Sequence, residues 1–156
     1  MKQTALHCAV GLLARREHSE TELRLKLIQH EFLQADINAA VDAMLEKDYL
    51  SDQRFASSRC SYQAKRGYGW NYIANELEQK GVCATIIQNL RESCEIDWYL
   101  QAELAYNKRF GIKTEVAESD NESLDKKAAQ KEQAKKIRFL QYRGFSSDEI
   151  FTVIDN

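Results

Sequence analysis

The fold is decided by residues 139–150, which read FLQYRGFSSDEI. Here Leu140, Phe145 and Ile150 follow one another at intervals of five, and Gly144 stands just before the second. A helix that ends in a left-handed residue at C′ folds its C″ side chain back onto C3, five positions earlier. The same side chain can pack on N4 of the next helix, five positions later. The stretch therefore predicts a helix, a tight corner at Gly144 and a second helix.

The same spacing occurs twice more in the chain. The further triplets are Leu27, Phe32 and Ile37, then Leu77, Val82 and Ile87. Gly81 occupies C′ in the second corner, whereas Glu31 occupies it in the first, where a left-handed side chain costs about 1 kcal/mol. Corners lie 50 positions apart from Phe32 to Val82 and 63 apart from Val82 to Phe145. The chain is predicted to be an array of three similar units.

Capping signals around the triplets predict three helices in each unit. Ser19 with Glu22, and Ser146 with Glu149, have the N-cap serine and the N3 glutamate that are typical of a capping box. No stretch shows sustained strand alternation bounded by turn residues. We therefore predict an all-α protein.

The offsets between the corners also predict the domain organisation. We expect three tandem three-helix repeats over residues 1–48, 49–94 and 95–156, stacked as an elongated array that can curve. The third repeat is longer because it contains an acidic and polar insert near residues 113–130, which has no aromatic residue. We expect this insert to be a solvated loop or a disordered segment.

The cysteines and the N-terminus limit the class of protein. Cys8, Cys60, Cys83 and Cys94 never form C-x-x-C, and no pair of histidines has zinc spacing. We expect buried free thiols, no metal site and no cofactor. The N-terminus shows neither a secretion signal nor a long apolar run, so we expect a cytoplasmic protein with no membrane segment.

The charge pattern suggests local contact surfaces on a nearly neutral chain. The net charge of −2 speaks against a dedicated duplex-DNA module, which is usually strongly basic. The candidates for contact with a partner or with DNA are Arg15, Arg16, Lys65, Arg66, Tyr68, Lys127, Lys131 and Lys135. Each group has a structural alternative: ion pairs beside a helix end, inward packing of Tyr68 and Trp70, and a solvated helix face.

Catalytic motifs are missing from the sequence. It contains no G-x-x-x-x-G-K-[ST] loop, no G-x-S-x-G elbow and no H-E-x-x-H. The acids near Ser19 surround a helix cap, where solvated carboxylates are expected. We expect a protein that is not an enzyme.

Five strings, in this order and spacing, resemble the RecX family of bacterial RecA regulators. They are LLARREHSETEL at 12–23, YLSDQRFA at 49–56, KRGYG at 65–69, ELEQKGV at 76–82 and FLQYRGFSSDEI at 139–150. The resemblance covers nearly the whole chain outside the insert. One departure is Trp70, because the family often has proline after G-Y-G.

The resemblance implies the fold and a function that the spacing alone does not. It implies three tandem three-helix repeats that bind the RecA protein and the RecA–DNA filament. It further implies inhibition of filament growth, ATP hydrolysis and strand exchange in recombination and the SOS response, with weaker direct DNA binding. The alternative is a non-enzymatic DNA-binding helical-repeat module that acts without RecA. We expect a monomer.

Overall fold

The computed structural model describes residues 3–111 and 122–155, and these residues form nine helices and no strand. The helices are α1 Ala5–Arg15, α2 Glu20–Gln29, α3 Gln34–Glu46, α4 Asp52–Lys65, α5 Trp70–Gln79, α6 Ala84–Ser93, α7 Trp98–Phe110, α8 Glu122–Tyr142 and α9 Ser147–Ile154. The predicted all-α fold with three helices per repeat is confirmed. No described helix is both long and apolar enough to cross a membrane.

All three predicted corners have the hydrogen bond of the Schellman motif, from the C″ N–H to the C3 carbonyl. The N···O distances are 3.4 Å from Phe32 to Leu27, 3.0 Å from Val82 to Leu77 and 3.1 Å from Phe145 to Leu140. The C′ residues Glu31, Gly81 and Gly144 have φ values of 65°, 83° and 95°. The left-handed conformation predicted for Glu31 is therefore confirmed.

The corner triplets supply much of the core. Phe32 and Ile87 are half-buried. The other members of the triplets are buried: Leu27, Ile37, Leu77, Val82, Leu140, Phe145 and Ile150.

Two further helices are also followed by a residue with positive φ, although their sequences do not match the triplet pattern. Asp48 and Gly67 have φ values of 60° and 91°. The N–H of Tyr68 donates to the Gln63 carbonyl at 3.1 Å. The corner at Gly67 has the polar Gln63 at C3, so it does not match the pattern of apolar triplets.

The chain divides into two compact units. Unit 1 consists of Met1–Ser61 with Ala74–Cys94, and unit 2 consists of Tyr62–Ile73 with Glu95–Asn156. In unit 1, α1, α2 and α3 pack on one another. In unit 2, α7, α8 and α9 do the same.

Each unit has its own apolar core. The core of unit 1 includes Ala9, Leu23, Leu27, Ile37, Val41 and Met44. The core of unit 2 includes Ala102, Ala105, Tyr106, Leu140, Phe145 and Ile150.

The expected loop near residues 113–130 is corrected in part. Residues 122–130 belong to α8, while residues 112–121 lie outside the described part of the chain. Alanine, lysine, glutamine and glutamate dominate here, and these residues have high helix propensity. Residues 125–135 are all exposed. The polar composition reflects solvation of a helix rather than the absence of one.

The expectation of buried thiols is correct for two cysteines and wrong for two. Cys8 and Cys60 are buried, and burial raises the pKa of the Cys60 thiol to about 12. Cys94 is half-buried and Cys83 is exposed. Cys83 is the N-cap of α6, and its neighbour Val82 takes the core position, so the thiol faces outward.

Candidate interaction site

Two equivalent junctions between helix ends contain two of the candidate residues, Arg16 and Arg66. The first junction consists of Arg16, Ser19, Glu22, Lys80 and Gly81. The second junction consists of Arg66, Gly69, Tyr72, Arg143 and Gly144. The offset of 50 relates the first three members, and the offset of 63 relates the last two. The first junction lies in unit 1 and the second in unit 2.

In each junction the C-terminal end of one helix meets the N-terminal end of another. Ser19, the N-cap of α2, donates its hydroxyl to the Lys80 carbonyl at 2.7 Å. The Gly69 N–H, just before α5, donates to the Arg143 carbonyl at 2.7 Å. Opposite partial charges meet at such contacts, so the helix dipoles attract one another.

The glycines are required for this approach as well as for their positive φ. A Cβ at Gly81 would lie closer than 3.0 Å to the Thr21 side chain. A Cβ at Gly144 would lie that close to the Tyr72 backbone. A side chain can move aside at a lower free-energy cost than backbone can. An added side chain should therefore be tolerated less well at Gly144 than at Gly81.

The first junction is closed by ion pairs. The Glu22 carboxylate is 2.9 Å from Arg16 Nη1 and 3.2 Å from Lys80 Nζ. Burial opposes ionisation of this carboxyl, but the hydrogen bonds from Arg16 and Lys80 outweigh it and lower the pKa of Glu22. Ser19 Oγ accepts the Glu22 N–H at 3.0 Å, whereas the carboxylate turns toward the cations. Only half of the predicted capping box forms here, while the box at Ser146 and Glu149 is complete.

A buried histidine lies beside the first junction. His18 is only 1% exposed, and its Nδ1 lies 3.0 Å from the Arg16 carbonyl. Lys26 Nζ lies 3.2 Å from Nε2. Burial is the main cause that lowers the pKa of His18, and the charges of Arg16 and Lys26 act in the same direction. The imidazole is therefore held neutral, donating at Nδ1 and accepting at Nε2.

The second junction has a tyrosine in place of the glutamate. Tyr72 stacks on Tyr68 with ring centroids 4.0 Å apart. Arg143 Cζ lies 4.7 Å from the Tyr68 centroid, and Arg66 Cζ lies 5.4 Å from it. Arg66 also lies over Tyr62, which is 51% exposed. These are cation–π contacts, which hold a guanidinium in place without neutralising its charge.

Neither guanidinium of the second junction is paired with a carboxylate among the described residues. Arg143 Nη1 donates to the Arg66 carbonyl at 3.1 Å. Arg66 Nη1 donates to Gln63 Oε1 at 3.1 Å. A guanidinium has five N–H donors, so both groups keep donors for a ligand.

The structure brings together only some of the predicted contact residues. Arg66 belongs to the second junction, Tyr68 contacts its members Arg66, Tyr72 and Arg143, and Lys65 is exposed beside them. Trp70 packs inward at 8% exposure, with its ring centroid 5.8 Å from that of Trp98. The inward alternative is therefore correct for Trp70, while Tyr68 is half-buried.

The other candidates fall into two groups. Arg15 is exposed in unit 1, and Arg16 makes the ion pair that the structural alternative described. Lys127, Lys131 and Lys135 are exposed on α8 in unit 2. Their exposure is compatible both with a contact surface and with a solvated helix face.

Sequence reasoning missed Arg143 as a member of the site. Arg143 is 63 positions after Lys80, and Tyr72 is 50 positions after Glu22. Projecting the pairing of Glu22 through these offsets would have placed Arg143 beside Arg66. Among the described residues no group of three or more His, Cys, Asp or Glu side chains could hold a metal ion.

Comparison with protein families agrees with the three-repeat organisation. The first three-helix domain of RecX matches residues 5–44, the second matches 51–89 and the third matches 114–154. The chain belongs to the RecX family. The repeat limits 1–48, 49–94 and 95–156 stay a prediction.

Curated RecX proteins match along most of the chain. Regulatory protein RecX of Vibrio parahaemolyticus is 40% identical over 143 residues, which is 91% of this chain and 84% of that protein. Regulatory protein RecX of Pseudomonas fluorescens is 37% identical over 142 residues, again 91% of this chain and 84% of the relative. These relatives are named as regulators and not as enzymes.

Solved RecX structures share the fold. The crystal structure of RecX from Lactobacillus salivarius aligns with a TM-score of 0.72 over 97% of this chain and 92% of that chain, at 18% identity. A second RecX crystal structure aligns with a TM-score of 0.73 over 97% of this chain and 70% of the other, at 17% identity.

Proposed function

We propose that this RecX protein binds the RecA recombinase and its nucleoprotein filament, and that it inhibits filament growth, ATP hydrolysis and strand exchange in recombination and the SOS response. The observation that carries the proposal is the match of all three RecX domains, together with relatives that are named regulatory proteins. The protein acts in the cytoplasm, as a monomer, without catalysing a reaction.

Binding alone can produce this regulation. A protein that binds one filament state more tightly than another shifts the population toward that state without any catalytic group. A chain of tandem repeats offers several contact points, and linked contacts raise the overall affinity beyond that of any one of them. We assign the contacts to Lys65, Arg66 and Tyr68 and to the exposed lysines of α8, which lie in one unit.

The second candidate function is DNA binding without RecA. The guanidinium groups of Arg66 and Arg143 favour it, because both contact an aromatic ring rather than a carboxylate within the described part of the chain, and Arg is well suited to phosphate. The net charge of −2 counts against it as the whole function, because non-specific DNA affinity depends on phosphate neutralisation.

The test is RecA's ATP hydrolysis on single-stranded DNA while this protein is titrated onto preformed filaments at physiological salt. We expect inhibition, and inhibition far below one molecule per RecA would indicate action at filament ends or on assembly. Inhibition that appears only near stoichiometry would indicate coating of the filament. No change in ATP hydrolysis at any dose would contradict the proposal and leave DNA binding as the better account.

A matched pair of variants tests the contact surface of α8. Reversal of Lys131 and Lys135 to glutamate should weaken inhibition, because both side chains are exposed on α8. Reversal of Lys47 and Lys108 to glutamate makes the same change in net charge at exposed positions outside the candidate set. Equal inhibition by the two double variants would remove the α8 lysines from the contact surface.

A further inference from the structure

We propose that the second junction is a binding site for the phosphate groups of a nucleic-acid strand, with Arg66 and Arg143 as the contacts and Tyr68 as the residue that positions them. This inference rests on the proposed function, because a regulator of a nucleoprotein filament meets DNA where it meets the filament. It adds the ligand chemistry and the residues of one contact.

The first argument is the contrast between equivalent positions within the same chain. In the first junction Arg16 and Lys80 both form ion pairs with the Glu22 carboxylate, so their charges are compensated within the protein. In the second junction Tyr72 replaces that glutamate, and the two guanidinium groups lie over the Tyr68 ring instead. The contact between the helix ends is kept, with the Gly69 N–H as donor to the Arg143 carbonyl where the Ser19 hydroxyl donates to the Lys80 carbonyl, so the carboxylate is not needed for docking. The cations of the second junction remain charged and available.

The second argument concerns geometry. Arg143 is held from two sides, by the Tyr68 ring and by its hydrogen bond to the Arg66 carbonyl. Arg66 is held by Tyr62, Tyr68 and the Gln63 amide oxygen. Two guanidinium groups fixed over one ring lose little side-chain entropy on binding an anion, and their planar donors match phosphate oxygens.

The third argument indicates why the ring is not the recognition element. Tyr72 stacks on Tyr68 at a centroid distance of 4.0 Å and an interplanar angle of 18°. Arg143 lies 4.7 Å from the same centroid. The ring is therefore already in contact with a second ring and a guanidinium, and Trp70 is buried. Tyr68 serves to position the arginines, and the charge makes the contact.

The fourth argument favours a nucleic-acid strand over an acidic protein. Lys127, Lys131 and Lys135 are exposed at four-residue intervals on α8, in the same unit as the second junction. Four residues of helix advance by about 6 Å. Exposed cations repeated along one line suit a polymer that carries a charge on every unit. Arg143 immediately follows α8, so the stripe and the junction belong to one continuous segment.

The experiment measures binding of a labelled single-stranded oligonucleotide of about 20 nucleotides by fluorescence anisotropy, without RecA. The main variant is Tyr72→Glu, which reproduces the carboxylate of the first junction between Arg66 and Arg143. We expect at least a tenfold loss of affinity. Because each phosphate contact on a single strand contributes about 0.7 to the slope of log affinity against log salt, we expect that slope to fall by about 1.4.

Control variants separate charge from folding. Arg16→Ala removes the equivalent arginine of the first junction and should leave the oligonucleotide affinity within about twofold, because Arg16 is occupied by Glu22. Tyr68→Phe keeps the ring and should bind like the parent, whereas Tyr68→Leu should lose affinity with helix content unchanged. Arg66→Lys with Arg143→Lys keeps the charge but removes the planar fork, and affinity should fall while the salt slope is retained.

An abasic oligonucleotide of the same length completes the test. Phosphate recognition predicts competition by the abasic strand within about threefold of the normal strand, and a much weaker abasic competitor would overturn the proposal. Unchanged oligonucleotide affinity in Tyr72→Glu would also overturn it. If Tyr72→Glu lost inhibition of RecA but kept oligonucleotide affinity, the junction would be a protein contact, and the proposed function would stand without this inference. If the oligonucleotide measurements followed the prediction but the parent protein did not inhibit RecA, this inference would stand and the proposed function would be contradicted.

Discussion

Each junction joins a helix N-terminus to the carbonyl at the end of another helix, but the two junctions hold their cations in different ways. In the first junction Glu22 pairs with Arg16 and Lys80. In the second, Tyr72 occupies the position of the glutamate, and the arginines contact aromatic rings. The residue at this position thus decides whether the two cations have a carboxylate between them. The comparison shows how a repeat protein can keep one docking geometry and vary its surface chemistry.

The largest expected effect comes from breaking the close approach of the helix ends in each junction. Gly144→Val should lower the free energy of unfolding by about 3 kcal/mol, because φ is positive and the Cβ would collide with the Tyr72 backbone. Gly81→Val should cost about 1 kcal/mol less, because its Cβ meets the Thr21 side chain, which can move. Urea denaturation followed by circular dichroism measures both. A melting curve of Gly144→Val like that of the parent would refute the docking argument.

Opening the first junction should have a smaller effect. Glu22→Gln keeps the shape but removes the charge that Arg16 and Lys80 share, and we expect a loss of about 1 kcal/mol because both cations are half exposed. Since the pKa of Glu22 is lowered from 4.5, this contribution is present above pH 4.5 and is lost as the pH falls through the folded value. Equal stability of the parent and the variant at pH 7 would show that the ion pairs contribute nothing.

The corner that has glutamate at C′ should gain from glycine. Glu31 has a positive φ of 65° and is exposed, whereas Gly81 and Gly144 are packed against helix ends. Glu31→Gly should stabilise the protein by roughly 0.5–1 kcal/mol by removing left-handed strain. Thermal unfolding at matched concentration would detect the gain, and a decrease in stability would mean that the Glu31 side chain has a contact of its own.

The smallest effect concerns pH. His18 lies beside the first junction at the position equivalent to Tyr68 in the second repeat, and its pKa is lowered from 6.5 chiefly by burial. The unfolded chain therefore binds the proton more readily, and the free energy of unfolding should fall by roughly a few tenths of a kcal/mol as the pH drops below about 6.5. His18→Gln should flatten this dependence between pH 7 and 5.5 in urea denaturation. An identical slope in parent and variant would assign the effect elsewhere.

The sequence predicted the corners well because their geometry is local. A C3 to C″ contact spans five residues, so Leu140, Phe145 and Gly144 report it directly. The site was predicted only in part, because the pairing of Arg66 with Arg143 joins residues 77 positions apart. No local pattern contains that distance. The offsets between repeats predict this pairing only after the partners of Glu22 in the first junction are known.

Two other expectations were wrong in part because composition does not determine conformation. Residues 122–130 were expected in a solvated loop or a disordered segment, yet they are helical, since lysine, alanine and glutamine are good helix formers. Cys83 was expected in the core, but its position at a helix N-cap turns it outward. In both cases the backbone position, rather than the residue type, determines the environment.

The most direct test of the account compares Tyr72→Glu with Arg16→Ala in RecA's ATP hydrolysis on single-stranded DNA, at physiological salt and over the same titration. The account predicts that Arg16→Ala inhibits RecA like the parent, while Tyr72→Glu needs at least about tenfold more protein for the same inhibition, with both variants folded by circular dichroism. Equal inhibition by the two variants would contradict the claim that the second junction is the contact surface.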